Sequence, residues 1–231
     1  MLPIILNNDK LPYVDEVKHL GHTLSYDNNM SKDCNIKRGI FIGKMHSLAQ
    51  EFYFSSPEVL MKLLNVYTSS FYGSNLYNLF SKDCKRLYAA WNCAVRIAFK
   101  VDNCTHHYLI ETISQSLHPK VYLSSRFVKF THAMQNNSKS IVRVLSNLFK
   151  YDNRTVLGQN LNNISRKCQT KINDLTTHHI KSNMKYFEVP EDEKWRISIV
   201  HELLMLKNNV MEIEGFTKGE INNMLLQVCS S

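Results

Sequence analysis

The chain has 231 residues, 44% of them hydrophobic, only seven glycines and five prolines, and 28 Lys/Arg against 20 Asp/Glu for a net charge of +8. That apolar content argues against wholesale disorder, and the scarcity of glycine and proline argues against sandwich and turn-repeat architectures. Six cysteines lie far apart with no Cys-x-x-Cys pair, so spacing points to neither a disulfide framework nor a zinc knuckle, and an intracellular setting, cytoplasmic or nuclear, is expected.

The first thirty residues read as β structure. Apolar runs at residues 2 to 6 and 11 to 14 flank Asn7-Asn8-Asp9-Lys10, a turn-forming cluster, and predict a hairpin. The opening run is too short for a secretory signal, and no stretch approaches membrane-spanning length. A further strand is predicted through Val17-Lys18-His19-Leu20-Gly21-His22-Thr23-Leu24-Ser25, placing Val17, His19, Gly21 and Thr23 on one face and Lys18, Leu20, His22 and Leu24 on the other. Gly21 would leave room there for a second backbone or a ligand. The apolar ends Leu2, Ile4 and Leu6 look sticky, so a chain starting near Ser31 is expected to be more soluble.

Helical periodicity takes over from residue 31. Ser31 is a candidate N-cap for a helix to about residue 54, with Ile36, Ile40, Met45, Leu48 and Phe52 toward the core and Lys37, Arg38 and Lys44 on the other side. Ser55-Ser56-Pro57-Glu58 starts a second helix whose stripe is Val59, Leu60, Leu63, Leu64, Tyr67 and Phe71. A third, over about 81 to 100, repeats Leu87, Trp91, Ala94, Val95, Ala98 and Phe99 and carries Lys82, Lys85, Arg86, Arg96 and Lys100. Others are expected at about 105 to 115, 119 to 135, 138 to 149, 155 to 183 with a break near Cys168, 192 to 208 and 217 to 228. The fold class is therefore mainly α, with divisions at 1 to 30, 31 to 185 and 186 to 231.

Charge follows the same divisions. Residues 31 to 185 hold 22 Lys/Arg against 8 Asp/Glu, a net +14, whereas residues 186 to 231 hold 4 against 8, a net −4. A basic body of this kind suits a polyanionic partner, and the alternative is an ordinary solvated surface.

Motifs for chemistry are sparse. No Asp-Asp pair occurs, so a two-metal phosphoryl-transfer centre has no visible ligands. His201-Glu202-Leu203-Leu204-Met205 carries methionine where the His-Glu-x-x-His zinc signature needs its second histidine. The pairs His106-His107 and His178-His179 diverge by about 100° on a helix and suit capping or surface positions better than one metal ion. Gly39 and Gly43 lack the companions of a phosphate loop. Tyr53, Tyr67, Tyr72, Tyr88 and Trp91 lie among bases and could stack on nucleobases, though at helical spacing Trp91 suits packing better.

Three blocks carry a resemblance. The Val17 to Ser25 stretch, then Tyr72-Gly73-Ser74, then Ala90-Trp91-Asn92-Cys93-Ala94-Val95-Arg96 with Thr105-His106 occur in an order and spacing that resemble the carboxy-terminal part of reverse transcriptases of non-LTR (LINE-type, Jockey-like) retrotransposons. Trp195-Arg196-Ile197 through Glu202-Leu203-Leu204 to Val228-Cys229 is similar to the tail of such proteins, so the resemblance spans nearly the whole chain. It implies a remnant of a palm in the first thirty residues, a primer grip at His19, Leu20, Gly21 and His22, and a thumb in the helices. It also implies that the catalytic aspartates and their Mg²⁺ belong to a palm missing here, that this chain holds no cofactor, and that it does not polymerise on its own. The expected partners are an RNA and DNA template–primer and the palm and fingers of the polymerase, with no membrane. Helix placement nominates Lys37, Arg38, Lys44, Lys82, Lys85, Arg86 and Arg96 for phosphate contacts. A protein-interaction module without nucleic acid, and a subunit active only with a separate palm, are the alternative readings.

Overall fold

Two small hairpins precede a helical body in the computed structural model, which describes residues 5–6, 9–10, 13–19, 21–27, 30–67, 71, 73–184, 189–208 and 218–230. In the first, β1 (Ile5–Leu6) pairs antiparallel with β2 (Asp9–Lys10), Ile5 opposite Lys10 and Leu6 opposite Asp9. The return strand thus begins earlier than the predicted 11 to 14. Leu2, Ile4 and Leu11 lie outside the described residues.

The second hairpin corrects the single strand predicted through residue 25. Here β3 (Glu16–His19) and β4 (His22–Ser25) pair antiparallel with Val17 opposite Leu24, Lys18 opposite Thr23 and His19 opposite His22. The chain reverses through Gly21 at φ +77°, and nothing lies within 4 Å of where its Cβ would stand. Glycine is needed there for the left-handed turn and not for close approach. Because cross-strand partners share a face, His19 and His22 lie together and Thr23 joins Lys18. Every residue of β3 is exposed, whereas His22 and Thr23 are buried. Leu20 lies outside the described residues.

Helix α1 (Ser31–Glu51) begins one residue earlier than a Ser31 cap would allow, with Met30 at the N-cap. Its buried residues are Asp33, Cys34, Phe41, Met45 and Leu48, while Ile36 and Ile40 are 41% and 53% exposed. The predicted stripe was thus out of phase at its N-terminal half. A carboxylate sits on the core face, where a hydrophobicity pattern cannot register it. In α2 (Pro57–Tyr67) the buried face is Leu60, Met61 and Leu64, and Val59 and Tyr67 are exposed. Phe71 is buried beyond the helix end and stacks on Phe41 at 5.8 Å.

The central element is α3 (Lys82–Phe99), which packs against both α1 and α2. Ser81 caps it by accepting from the Cys84 amide, Lys100 closes it in a left-handed conformation, and Leu87, Trp91, Ala94, Val95 and Ala98 are buried as the periodicity predicted. Then follow α4 (His107–Ser114), α5 (Pro119–Gln135), α6 (Ser140–Phe149), α7 (Val156–Cys168), α8 (Thr177–Asn183), α9 (Lys194–Asn208) and α10 (Lys218–Ser230). The long 155 to 183 pattern breaks at Cys168, with Gln169 left-handed after it. One contiguous apolar cluster runs from Cys34 to Cys229. The acidic C-terminal helices belong to it through Val200, Leu203, Leu204, Ile221 and Leu225, and Lys207 of α9 pairs with Glu58 of α2. Helix α6 is the exception: Ile141, Val144, Leu145, Leu148 and Phe149 are exposed and its buried side chain is Ser146.

Candidate nucleic-acid interface

The hairpin is fixed to the helices by one buried carboxylate. Asp33, in the first turn of α1, accepts the Thr23 backbone N–H on Oδ1 at 3.0 Å and the Tyr77 hydroxyl on Oδ2 at 2.5 Å. His22 Nδ1 lies 3.1 Å from Oδ2, and Lys37, one turn on in α1, brings its Nζ to 3.7 Å from Oδ2 and 3.2 Å from the same imidazole nitrogen. Nδ1 can donate to Asp33 or accept from Lys37, and only one of these at a time. Burial alone would push the Asp33 carboxyl up, but the hydrogen bonds from Tyr77, Thr23 and His22 together with the Lys37 charge outweigh it and hold the group below the usual carboxylate range. Burial pulls the Lys37 ammonium down, against the opposing effect of Asp33. Burial and the Asp33 hydrogen bond push the Tyr77 phenol up, so it stays a donor. With both oxygens engaged, Asp33 is suited to bracing and not to proton transfer.

The turn at Gly73 completes this junction. Gly73 has φ +76° and caps the short 3₁₀ turn Ser74–Leu76, and a Cβ on it would stand 1.6 Å from His22 Cε1. The imidazole therefore occupies the space a side chain would fill, and only glycine fits both the angle and the contact. This joins two of the blocks that carried the resemblance. In the third, Trp91 is buried with its ring edge-on to His118 at 5.1 Å, and Arg96 Nη2 donates to the Thr105 carbonyl at 2.8 Å. Ser74 is buried and Tyr72 lies outside the described residues.

The bases named from the sequence fall into different environments. His19 and Gly21 are exposed at the hairpin tip, and His22 and Lys37 are part of the junction. Lys44 donates to the Tyr67 carbonyl at 3.2 Å, and Arg86 pairs with Asp83 at 3.3 Å. Arg38 is half-buried and its Nε has no hydrogen-bond partner among the described residues. Arg96 is drawn below its usual range by burial and holds the start of α4. Lys82 and Lys85 are exposed in the first turn of α3.

Lys120 and Lys167 stand outside the candidates named from the sequence. Lys120, the second residue of α5, is pushed down to about 8, first by burial and then by the charges of Lys167 and Lys85. One sequence signal was available: a lysine in the first turn of a helix opposes the positive end of its dipole, and α5 has no acidic residue there.

Elsewhere the bland readings fit. Tyr88 is buried and donates to the Leu79 carbonyl at 2.8 Å, whereas Tyr53 and Tyr67 are exposed. His201 and Glu202 lie on the exposed side of α9, and His179 Nδ1 is 3.1 Å from Thr176 Oγ1. Among the described residues no three His, Cys, Asp or Glu converge as a metal-ligand set. Comparison with descriptions of protein families, with curated proteins and with solved structures finds no match to this chain.

Proposed function

We propose that this chain is the primer-grip and thumb part of a non-LTR retrotransposon reverse transcriptase, and that it holds an RNA–DNA template–primer by its phosphates beside a palm active site. The observation that carries this reading is the seating of His22 on Gly73, which joins in space two of the blocks on which the resemblance rests. The mechanism follows from the junction. The exposed tip of the β3–β4 hairpin, with His19 and Gly21, approaches the primer end, while the buried braces on Asp33 set its angle against α1. The excess of Lys/Arg in residues 31 to 185 supplies affinity through phosphates, without sequence preference.

A second reading, a protein-interaction module, is favoured by the exposed apolar face of α6. Titration of the chain with an RNA–DNA primer–template at several salt concentrations separates the two. Neutralising about five phosphates gives a slope of log K against log salt near −4 to −5. Absence of binding at low salt sinks the nucleic-acid reading.

A further inference from the structure

We propose that the cavity between the end of α2 and the start of α5 is a nucleobase pocket, and, resting on the function proposed above, that its occupant is an unstacked adenine of the single-stranded template. The cavity holds about 250 Å³, less than drug-sized ligands need and enough for a single ring system. Its walls come from separate stretches of the chain: Asn65 of α2, Phe71 beyond that helix, Trp91 of α3, and Ser116, Leu117 and Tyr122 around the start of α5.

Two of the walls are fixed aromatic rings. Trp91 and Phe71 are buried, the first edge-on to His118 at 5.1 Å and the second stacked on Phe41 at 5.8 Å. Phe71 also holds φ at +30°, a left-handed conformation that is costly for a bulky residue and gathers at ligand clamps, where surrounding contacts over-determine it. Tyr122 is the exposed wall, and the Arg126 guanidinium lies over its ring, 5.7 Å from the centroid. A base stacked on Tyr122 would carry its phosphate on that cationic side.

Asn65 chooses the base. Its Nδ2 donates to Ser116 Oγ at 2.9 Å, and the Ser116 hydroxyl donates to the Ser114 carbonyl at 3.1 Å, so the amide is held in place. A carboxamide carries a second N–H and a carbonyl oxygen beyond that one bond. Together they match the N7 acceptor and the N6 amino donor of adenine. The excess of Lys/Arg in residues 31 to 185 favours a nucleotide over an apolar peptide as the occupant.

The test uses the full chain carrying Trp195→Phe, which leaves Trp91 as the sole tryptophan. Adenosine monophosphate, cytidine monophosphate and a polyproline peptide are titrated separately against Trp91 fluorescence, and binding of an RNA–DNA primer–template with a single-stranded oligo-A template end is measured by fluorescence anisotropy. Adenosine monophosphate is expected to quench Trp91 saturably and to bind about tenfold tighter than cytidine monophosphate. Asn65→Leu, at an exposed position, is expected to bring the two nucleotides within about threefold of each other. Tyr122→Ala is expected to weaken both by about tenfold. Primer–template binding without saturable quenching by adenosine monophosphate overturns the pocket and leaves the proposed function standing. Saturable quenching without primer–template binding supports the pocket and overturns the template as its occupant. Equal affinity for the two nucleotides overturns the choice of adenine, and saturation by the peptide alone overturns a nucleotide occupant altogether. These comparisons decide the matter in the Trp195→Phe chain whether or not the Asn65 and Tyr122 variants fold.

Discussion

At the scale of single residues, Gly73 and His118 carry the sharpest expectations. Gly73→Ala places a methyl in the His22 ring and a β-carbon at φ +76°, so the variant loses roughly 1 to 3 kcal/mol in urea unfolding. His22→Ala in the same background recovers the steric part and leaves the backbone part, and a double-mutant cycle reads the difference. A cycle without coupling would mean that the ring does not rest on this glycine. His118 is fully buried and its imidazole is drawn down to about 3, first by burial and then by Lys120 and His107. An unfolded histidine titrates near 6.5, so between about 3 and 6.5 the unfolded chain binds more protons than the folded one. The stability this group contributes is complete above 6.5 and is lost as pH falls through the window. Acidifying from pH 7 to 5 should remove about 2 kcal/mol through this site, and His118→Gln should flatten that dependence.

At the scale of elements, α7 is held by a polar bond that hydrophobic periodicity does not report. Asn160 is fully buried and satisfies two backbone groups of the 77 to 79 stretch. Asn160→Ala leaves a buried carbonyl and a buried amide without partners, a loss of about 2 to 4 kcal/mol, whereas Asn163→Ala, half-buried on the same helix, should cost under about 1. Equal losses in thermal unfolding would count against this role. Helix α3 was legible because Leu87, Trp91, Ala94, Val95 and Ala98 repeat every three to four positions. The α1 face was not, since Asp33 and Lys37 lie inward while Ile36 and Ile40 lie outward.

At the scale of the whole molecule, the division at residue 30 crosses a junction. Thr23 and His22 lie on one side of it and Asp33 on the other. A chain starting at Ser31, expected from the sequence to be more soluble, gives up the bonds between them. Removing residues 1 to 30 takes away the Thr23 and His22 hydrogen bonds to a charged group, and a loss of about 2 to 3 kcal/mol in urea unfolding is expected. Asp33→Asn should then matter much less in the shortened chain than in the full one. An unchanged effect would show that the hairpin does not brace α1. The C-terminal acidic helices likewise share the core through Val200, Leu203, Leu204, Ile221 and Leu225.

The sequence by itself determined the helical class, most helix positions and the concentration of positive charge in residues 31 to 185. These are local quantities, set by propensity, periodicity and composition. The tertiary structure alone decided that the Val17 to Ser25 stretch folds back on itself and that His22 rests on Gly73 fifty-one residues away. Such pairings depend on how helices pack, and no spacing along the chain encodes them.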